Sequence, residues 1–98
     1  MAEIRFLEPS RFDLRIMRAY GLDAFGGEAT NAYMRGLAAV LVRLSEHPRM
    51  GVARDDLRPG TRSFPYRRHR VYYRVDEEGI VIQRILHHAQ LVRDDLFP

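Results

Sequence analysis

Two β-prone runs near the C-terminus, separated by four residues that end in glycine, constrain this fold more than any other feature. Residues 68–75 read RHRVYYRV and residues 80–88 read IVIQRILHH. Both are rich in branched and aromatic residues, which favour strands. The DEEG sequence at 76–79 is typical of a hairpin loop whose glycine takes a positive φ. The sequence therefore predicts an antiparallel β-hairpin over these residues.

The simplest register for this hairpin places Val75 opposite Ile80 and sorts the side chains onto two faces. One face is mostly apolar, and we expect helices to cover it. Its members are His69, Val71, Tyr73, Val75, Ile80, Ile82, Arg84 and Leu86. The other face is polar, aromatic and basic, and we expect function there. Its members are Arg70, Tyr72, Arg74, Val81, Gln83, Ile85 and His87.

Arg84 is the exception on the apolar face of this register. A buried guanidinium without a partner is very costly, so a carboxylate is expected beside it, and Asp13 is a candidate. This pairing would tie the sheet to a helix. A register shifted by one residue, which would exchange the two faces, stays open as the alternative.

The N-terminal half reads as a strand followed by two helices. Residues 3–7 alternate like a short strand, and a helix is expected from Pro9–Ser10 to Gly21, with Ser10 and Asp13 spaced as a capping box. Phe12, Ile16, Ala19 and Tyr20 would line one face of that helix. A longer helix is expected over 28–46. The order is β-α-α-β-β-β: an α+β fold in which an antiparallel helix hairpin packs on a small, twisted, mainly antiparallel sheet. The first strand should lie beside a C-terminal one.

Composition narrows the class of protein. A chain of 98 residues is expected to form a single domain over 1–98. It has no cysteine, which removes disulfides and thiolate chemistry. No apolar run approaches the length of a membrane span, and the N-terminus lacks the pattern of an export signal, so a cytoplasmic protein is expected. The histidines show no metal-ligand spacing, so no metal site is expected.

The charge of the chain points to an acidic partner. All 16 basic residues are arginine, and the formal net charge is +3. The isoelectric point is near 9.8. Arginine binds carboxylate and phosphate in a bidentate way, so an acidic protein or a nucleic acid is the kind of partner expected.

Three segments together resemble a known family. HPRMG at 47–51, DDLRPGTRSFPYRRHRVYYRV at 55–75 and VIQRILHHAQ at 81–90 are similar to the RelE/ParE superfamily of bacterial type II toxins. The run DLRPG-x-R-S-F-P followed by H-x-x-x-Y-R-V is nearest to the ParE branch. The resemblance covers nearly the whole chain and implies a helix hairpin on a twisted antiparallel sheet.

The resemblance also implies a function. ParE-like toxins are associated with inhibition of DNA gyrase and are neutralised by a cognate, ParD-like antitoxin, so a hetero-oligomer with that antitoxin is expected. Arg62, Arg67 and Arg68 are the expected target-binding residues. The stretch 91–97 is a further candidate, although Leu91, Leu96 and Phe97 are better explained as closing the core. The antitoxin is expected to cover Leu14, Met17 and Met34 on the helices, as a helix binds in a groove.

Two other functions stay open. RelE-like toxins cut messenger RNA on the ribosome, and Arg70, His87 and Tyr72 would be the catalytic candidates here, with Arg70 stabilising charge and His87 acting as an acid. No residue is placed to act as the base. A basic nucleic-acid-binding module is the third possibility. It would use four arginines interleaved with three tyrosines to neutralise phosphate and stack on bases. They are Arg67, Arg68, Arg70, Arg74, Tyr66, Tyr72 and Tyr73.

Overall fold

The computed structural model describes residues 2–98, in which two helices pack on a five-stranded sheet. The elements are β1 Glu3–Phe6, α1 Glu8–Phe25, α2 Gly27–Glu46, β2 Val52–Ala53, β3 Arg62–Tyr66, β4 His69–Val75 and β5 Gly79–His87, with 3-10 turns at Pro48–Met50 and Asp94–Leu96. The predicted α+β fold is confirmed. The sequence pattern missed only β2, whose two residues are too few to show a period.

The strands lie in the order β1-β5-β4-β3-β2. β1 runs parallel to β5, and every other neighbouring pair is antiparallel. The expected contact between the first strand and the C-terminal half is therefore confirmed. Gly79 makes it possible, because its φ is +152° and a Cβ there would collide with the backbone of Glu3.

A β-bulge in β5 changes the predicted register. Val75 faces Ile80 and Tyr73 faces Ile82 as expected, but Gln83 is then an extra residue with no partner on β4. Beyond the bulge the pairs are Tyr72–Arg84, Val71–Ile85, Arg70–Leu86 and His69–His87. The predicted faces are therefore correct up to residue 82 and wrong for β5 after it, because one inserted residue moves each later side chain to the other face.

The main core lies between the helices and one face of the sheet. It contains Leu37, Leu41, Leu44, Val71, Tyr73, Ile80, Ile82 and Ile85, all buried. The leucines follow helical spacing on α2. Val71 and Tyr73 alternate on β4, and on β5 Ile80 and Ile82 are followed by Ile85, three residues on, because the bulge adds one residue between them.

The other face of the sheet is partly covered by the C-terminal segment. Tyr72, Leu86 and Phe97 form a second buried cluster with Leu57, and Leu96 packs against it. This face is therefore not the open polar surface that the sequence predicted. Leu96 and Phe97 close this cluster as expected, whereas Leu91 is exposed.

α1 differs from its predicted form at both ends. It begins at Glu8, and Ser10 lies inside it with its hydroxyl donating to the carbonyl of Leu7 at 2.7 Å. No capping box forms, because Asp13 turns toward the sheet. Gly21 does not end the helix. It lies buried against Thr30 of α2, where the missing Cβ lets the two helices come together.

Candidate partner-docking groove

A groove of about 720 Å³ opens between the helices and the ends of β4 and β5. α1 and α2 contribute mainly apolar side chains: Phe12, Ile16, Met17, Tyr20, Phe25, Ala29, Tyr33 and Met34. The turn between β3 and β4 and the adjoining strand ends contribute Arg67, Arg68, His69 and His87. A groove of this size with an apolar wall is large enough for part of a polypeptide partner.

The apolar wall is built from the outward face of α1. Phe12, Ile16 and Tyr20 repeat every four residues and are 52%, 54% and 66% exposed. Phe25 is exposed as well and meets Tyr20 edge to face, with ring centroids 6.1 Å apart. These residues form the α1 stripe: Phe12, Ile16, Tyr20 and Phe25. A row of large apolar side chains left in water is typical of an interaction surface.

Leu14 and Met17 were expected to be exposed for the antitoxin, and Phe12, Ile16 and Tyr20 were expected to share a different face of the helix. In the structure Leu14 and Met17 are half-buried and pack against the main core, and the other face is the exposed one. Met17 still reaches the groove, as does Met34 on α2. Two of the three residues expected at the antitoxin therefore border the groove, while Leu14 does not.

The ion pair between Asp13 and Arg84 sets this orientation of α1. Arg84 donates through Nε and Nη2 to the two carboxylate oxygens of Asp13, at 2.8 and 2.7 Å. Asp13 also accepts the backbone N–H of Ile85 at 2.9 Å, and Arg84 donates to the carbonyl of Leu96 at 2.8 Å. The hydrogen bonds that Arg84 donates to the Asp13 carboxylate raise the pKa of Arg84. The predicted pairing is confirmed.

The histidine nearest the helices is held by a tyrosine. Tyr33 Oη lies 2.7 Å from His69 Nδ1 and accepts the backbone N–H of Arg68 at 3.3 Å. We assign the hydroxyl proton to the bond with Nδ1, which places the imidazole proton on Nε2. Burial, with smaller contributions from His87 and His88, lowers the pKa of His69 to about 4. His69 is therefore neutral at neutral pH.

Two further histidines extend this arrangement. His69 and His87 face each other across the strands with ring centroids 5.4 Å apart, and His88 lies 4.6 Å from His87. His87 Nδ1 accepts the backbone N–H of Ala89 at 3.1 Å, so its proton also lies on Nε2. Together with Arg67 and Arg68 these residues form the turn cluster: Arg67, Arg68, His69, His87 and His88.

The structure does not bring the nuclease candidates together. Arg70 and Tyr72 lie on the outer face of the sheet, whereas the bulge moves His87 to the helix side, opposite His69. Tyr72 is only 2% exposed and stacks edge to face on Phe97 at 5.1 Å. The expected grouping of Arg70, Tyr72 and His87 on one face is therefore wrong.

The three target-binding candidates also separate. Arg67 and Arg68 form the exposed turn after β3, and Arg67 has a φ of +50° and lies 5.8 Å from the ring centre of Tyr66. Arg62 begins β3 and donates to the carbonyl of Gly51 at 2.8 Å. Two of the three thus border the groove, and the third does not.

The tyrosines expected to stack on bases are buried or hydrogen-bonded within the protein instead. Tyr72 and Tyr73 are buried, and Tyr73 Oη donates to the carbonyl of Pro48 at 2.7 Å. Tyr66 packs on Tyr33 with ring centroids 5.0 Å apart and donates to its carbonyl at 2.8 Å. The arrangement of aromatic side chains that a single-stranded nucleic acid would need is therefore missing from these positions.

Residues 2–98 hold no group of three or more histidine, cysteine or acidic side chains arranged to bind a metal ion. Over the same residues, neither helix is long and apolar enough to cross a membrane.

The sequence of this chain matches a known protein family. The family described as "ParE toxin of type II toxin-antitoxin system, parDE" matches residues 4–92. Toxin ParE3 of Caulobacter vibrioides is 43% identical over 62% of this chain and 61% of its own length. The chain therefore matches less than two thirds of that relative. Toxin ParE1 of Mycobacterium tuberculosis is 36% identical over 66% of this chain and 67% of its own length.

A third relative and a solved structure extend the match along the chain. Toxin ParE1 of Caulobacter vibrioides is 32% identical over 98% of this chain and 99% of its own length. A structure described as the chromosomal ParDE system of P. aeruginosa has the same fold, with a TM-score of 0.75 over 89% of this chain and 96% of that one, at 19% identity. This chain belongs to the ParE toxin family of type II toxin–antitoxin systems.

Proposed function

We propose that this chain is the toxin of a toxin–antitoxin pair, that it inhibits DNA gyrase by binding to it, and that a cognate antitoxin holds it inactive. One observation carries the choice of binding over catalysis. Arg70 and Tyr72 lie on the opposite face of the sheet from His87. Cleavage of RNA needs an acid and a charge-stabilising group at one phosphate, and these residues cannot supply them together.

The antitoxin is proposed to occupy the groove. Its apolar side chains would cover the α1 stripe together with Met17 and Met34, which border the same groove. The first three members of the stripe repeat every four residues, so they form a row along which an amphipathic helix can lie. The solved structure with the same fold is described as a ParDE toxin–antitoxin system, which supports a partner of this kind.

Arg67 and Arg68 are proposed to contact gyrase. Both are exposed and lie on the turn between β3 and β4, where a large partner can reach their side chains. They also border the groove, so an antitoxin there would cover the residues that the target needs. We propose a structural role for Arg62 instead, because its guanidinium donates to the Gly51 carbonyl.

Gyrase acts in the cytoplasm, so we propose that the chain works there, as one toxin domain over residues 1–98 and without a cofactor. The experiment is to express the chain alone in bacteria under tight control while following DNA breakage and protein synthesis. The proposal predicts early DNA breaks with translation continuing, and no growth arrest when the antitoxin is co-expressed. Immediate translation arrest with intact DNA would replace it with the RelE-like mechanism.

A further inference from the structure

The turn cluster concentrates positive charge and hydrogen-bond donors without any carboxylate. Neither Arg67 nor Arg68 forms an ion pair with an acidic side chain among residues 2–98. His69 and His87 use Nδ1 as an acceptor toward Tyr33 and Ala89. The groups left free are therefore guanidinium N–H and imidazole Nε2–H, which only donate.

The groove itself does not neutralise this charge. Asp13 is the only acidic residue among the described residues that line the groove. Its two oxygens already accept three N–H groups, two from Arg84 and one from Ile85. Among the described residues that line the groove, no carboxylate is therefore left to pair with Arg67 and Arg68.

The two arginines are presented on a fixed backbone. The N–H of Arg68 is bound to Tyr33 Oη, and its carbonyl accepts the N–H of His88 at 2.8 Å. Arg67 is held at a positive φ beside the ring of Tyr66. A turn held in this way reduces the entropy lost when its side chains bind a ligand.

We infer that the turn cluster is a carboxylate-binding site for the segment that occupies the groove. The partner that fits is an amphipathic, acidic helix whose apolar side chains cover the α1 stripe and whose glutamate or aspartate side chains face Arg67 and Arg68. Carboxylates match these groups because they only accept, and because guanidinium binds them in a bidentate way. This inference rests on the proposed docking of the antitoxin in the groove.

The test compares two double variants with the same change in charge. Arg67→Asp with Arg68→Glu reverses the charge of the turn. Aspartate is chosen at position 67 because it tolerates a positive φ. Arg35→Glu with Arg49→Glu is the control, since both arginines are exposed and do not line the groove. The Kd of each full chain for the purified cognate antitoxin is measured by titration calorimetry at roughly 50 and 300 mM NaCl, where charges are weakly and strongly screened respectively.

The inference predicts that the turn variant binds about tenfold more weakly at low salt and loses most of the salt dependence seen with the wild type. The control should stay within about threefold of the wild type. Equal weakening of both variants, or an unchanged turn variant, would overturn the carboxylate site while leaving antitoxin docking in place. A wild-type chain that does not bind the antitoxin at all would overturn the proposed function as well.

Discussion

Asp13 is the residue on which the orientation of α1 depends. Its carboxylate binds Arg84 and the backbone N–H of Ile85. That N–H lies on β5 beyond Ile82, the last residue that pairs with β1. The Asp13 carboxylate thus accepts the β5 N–H that no residue of β1 reaches. With α1 held in this way, Leu14 and Met17 pack against the core. Phe12 and Ile16 are left facing outward for the same reason.

Replacing the Asp13 carboxylate by the isosteric amide should lower the stability of the fold. Asp13→Asn keeps an acceptor for Ile85 but leaves Arg84 mostly buried without a counter-charge, so we expect the free energy of unfolding to fall by about 3 kcal/mol. Urea unfolding followed by circular dichroism measures the loss. The double variant Asp13→Leu with Arg84→Met should recover most of it, since no charge is then buried. A single variant within about 0.5 kcal/mol of the wild type would contradict this role.

His69 makes the stability of the fold depend on pH. Its pKa is lowered from 6.5 to about 4 in the folded chain, mainly by burial. Between these values the unfolded chain binds more protons, so stability falls as the pH drops from about 6.5 toward 4. His69 is half-buried, and solvent screening reduces its contribution to about 1–2 kcal/mol.

His69→Asn is the variant that tests this titration, since an amide oxygen can accept the Tyr33 hydroxyl without titrating. We expect its stability to decline less than that of the wild type over the same pH range, as measured by urea unfolding at pH 7, 6, 5 and 4. Because the carboxylates are common to both chains, their effects cancel in the difference. Parallel declines would show that His69 does not contribute.

Single elements were predictable where one pattern decided the structure. α2 and the hairpin of β4 and β5 follow strong periodicities, and both lie where the sequence predicted them. The bulge at Gln83 was not predictable, because period two continues through it and only the partner strand shows which residue is extra. One residue in β5 therefore separated Arg70 from His87 and removed the predicted catalytic face.

The buried face of α1 could not be predicted from apolarity alone. Its buried residues are Ser10, Asp13 and Gly21, two polar residues and one without a side chain. The sequence did contain the necessary signal. The expected pairing of Asp13 with Arg84 requires Asp13 to meet the sheet, and Ser10, Met17 and Gly21 lie on the same line at spacings of three and four residues.

A paired set of variants tests the function of this element. Phe12→Glu with Ile16→Glu changes exposed positions, so the free energy of unfolding should stay within about 1 kcal/mol of the wild type while antitoxin affinity falls at least about 100-fold. Leu14→Ala should do the reverse, lowering stability by about 2 kcal/mol with little effect on affinity. Calorimetric titration and urea unfolding measure the two quantities. Antitoxin affinity that depends on Leu14 and not on the stripe would contradict the docking surface.

At the scale of the whole molecule, the apolar and basic surfaces meet in one groove. The helices supply the α1 stripe, the β3–β4 turn supplies Arg67 and Arg68, and both border the same space. If these arginines contact gyrase, an antitoxin in the groove excludes the target directly. Neutralisation then requires no change in the fold of the toxin.

Inhibition of gyrase by this chain is best tested with purified components. DNA gyrase, relaxed plasmid and ATP are incubated with increasing amounts of the chain, and supercoiling and cleaved DNA are followed on gels. If the chain inhibits gyrase by binding to it, supercoiling should be lost near an equimolar ratio of chain to gyrase and should be retained when antitoxin is added first. Unaffected supercoiling, together with cleavage of messenger RNA when the same chain is added to translating ribosomes, would contradict gyrase inhibition.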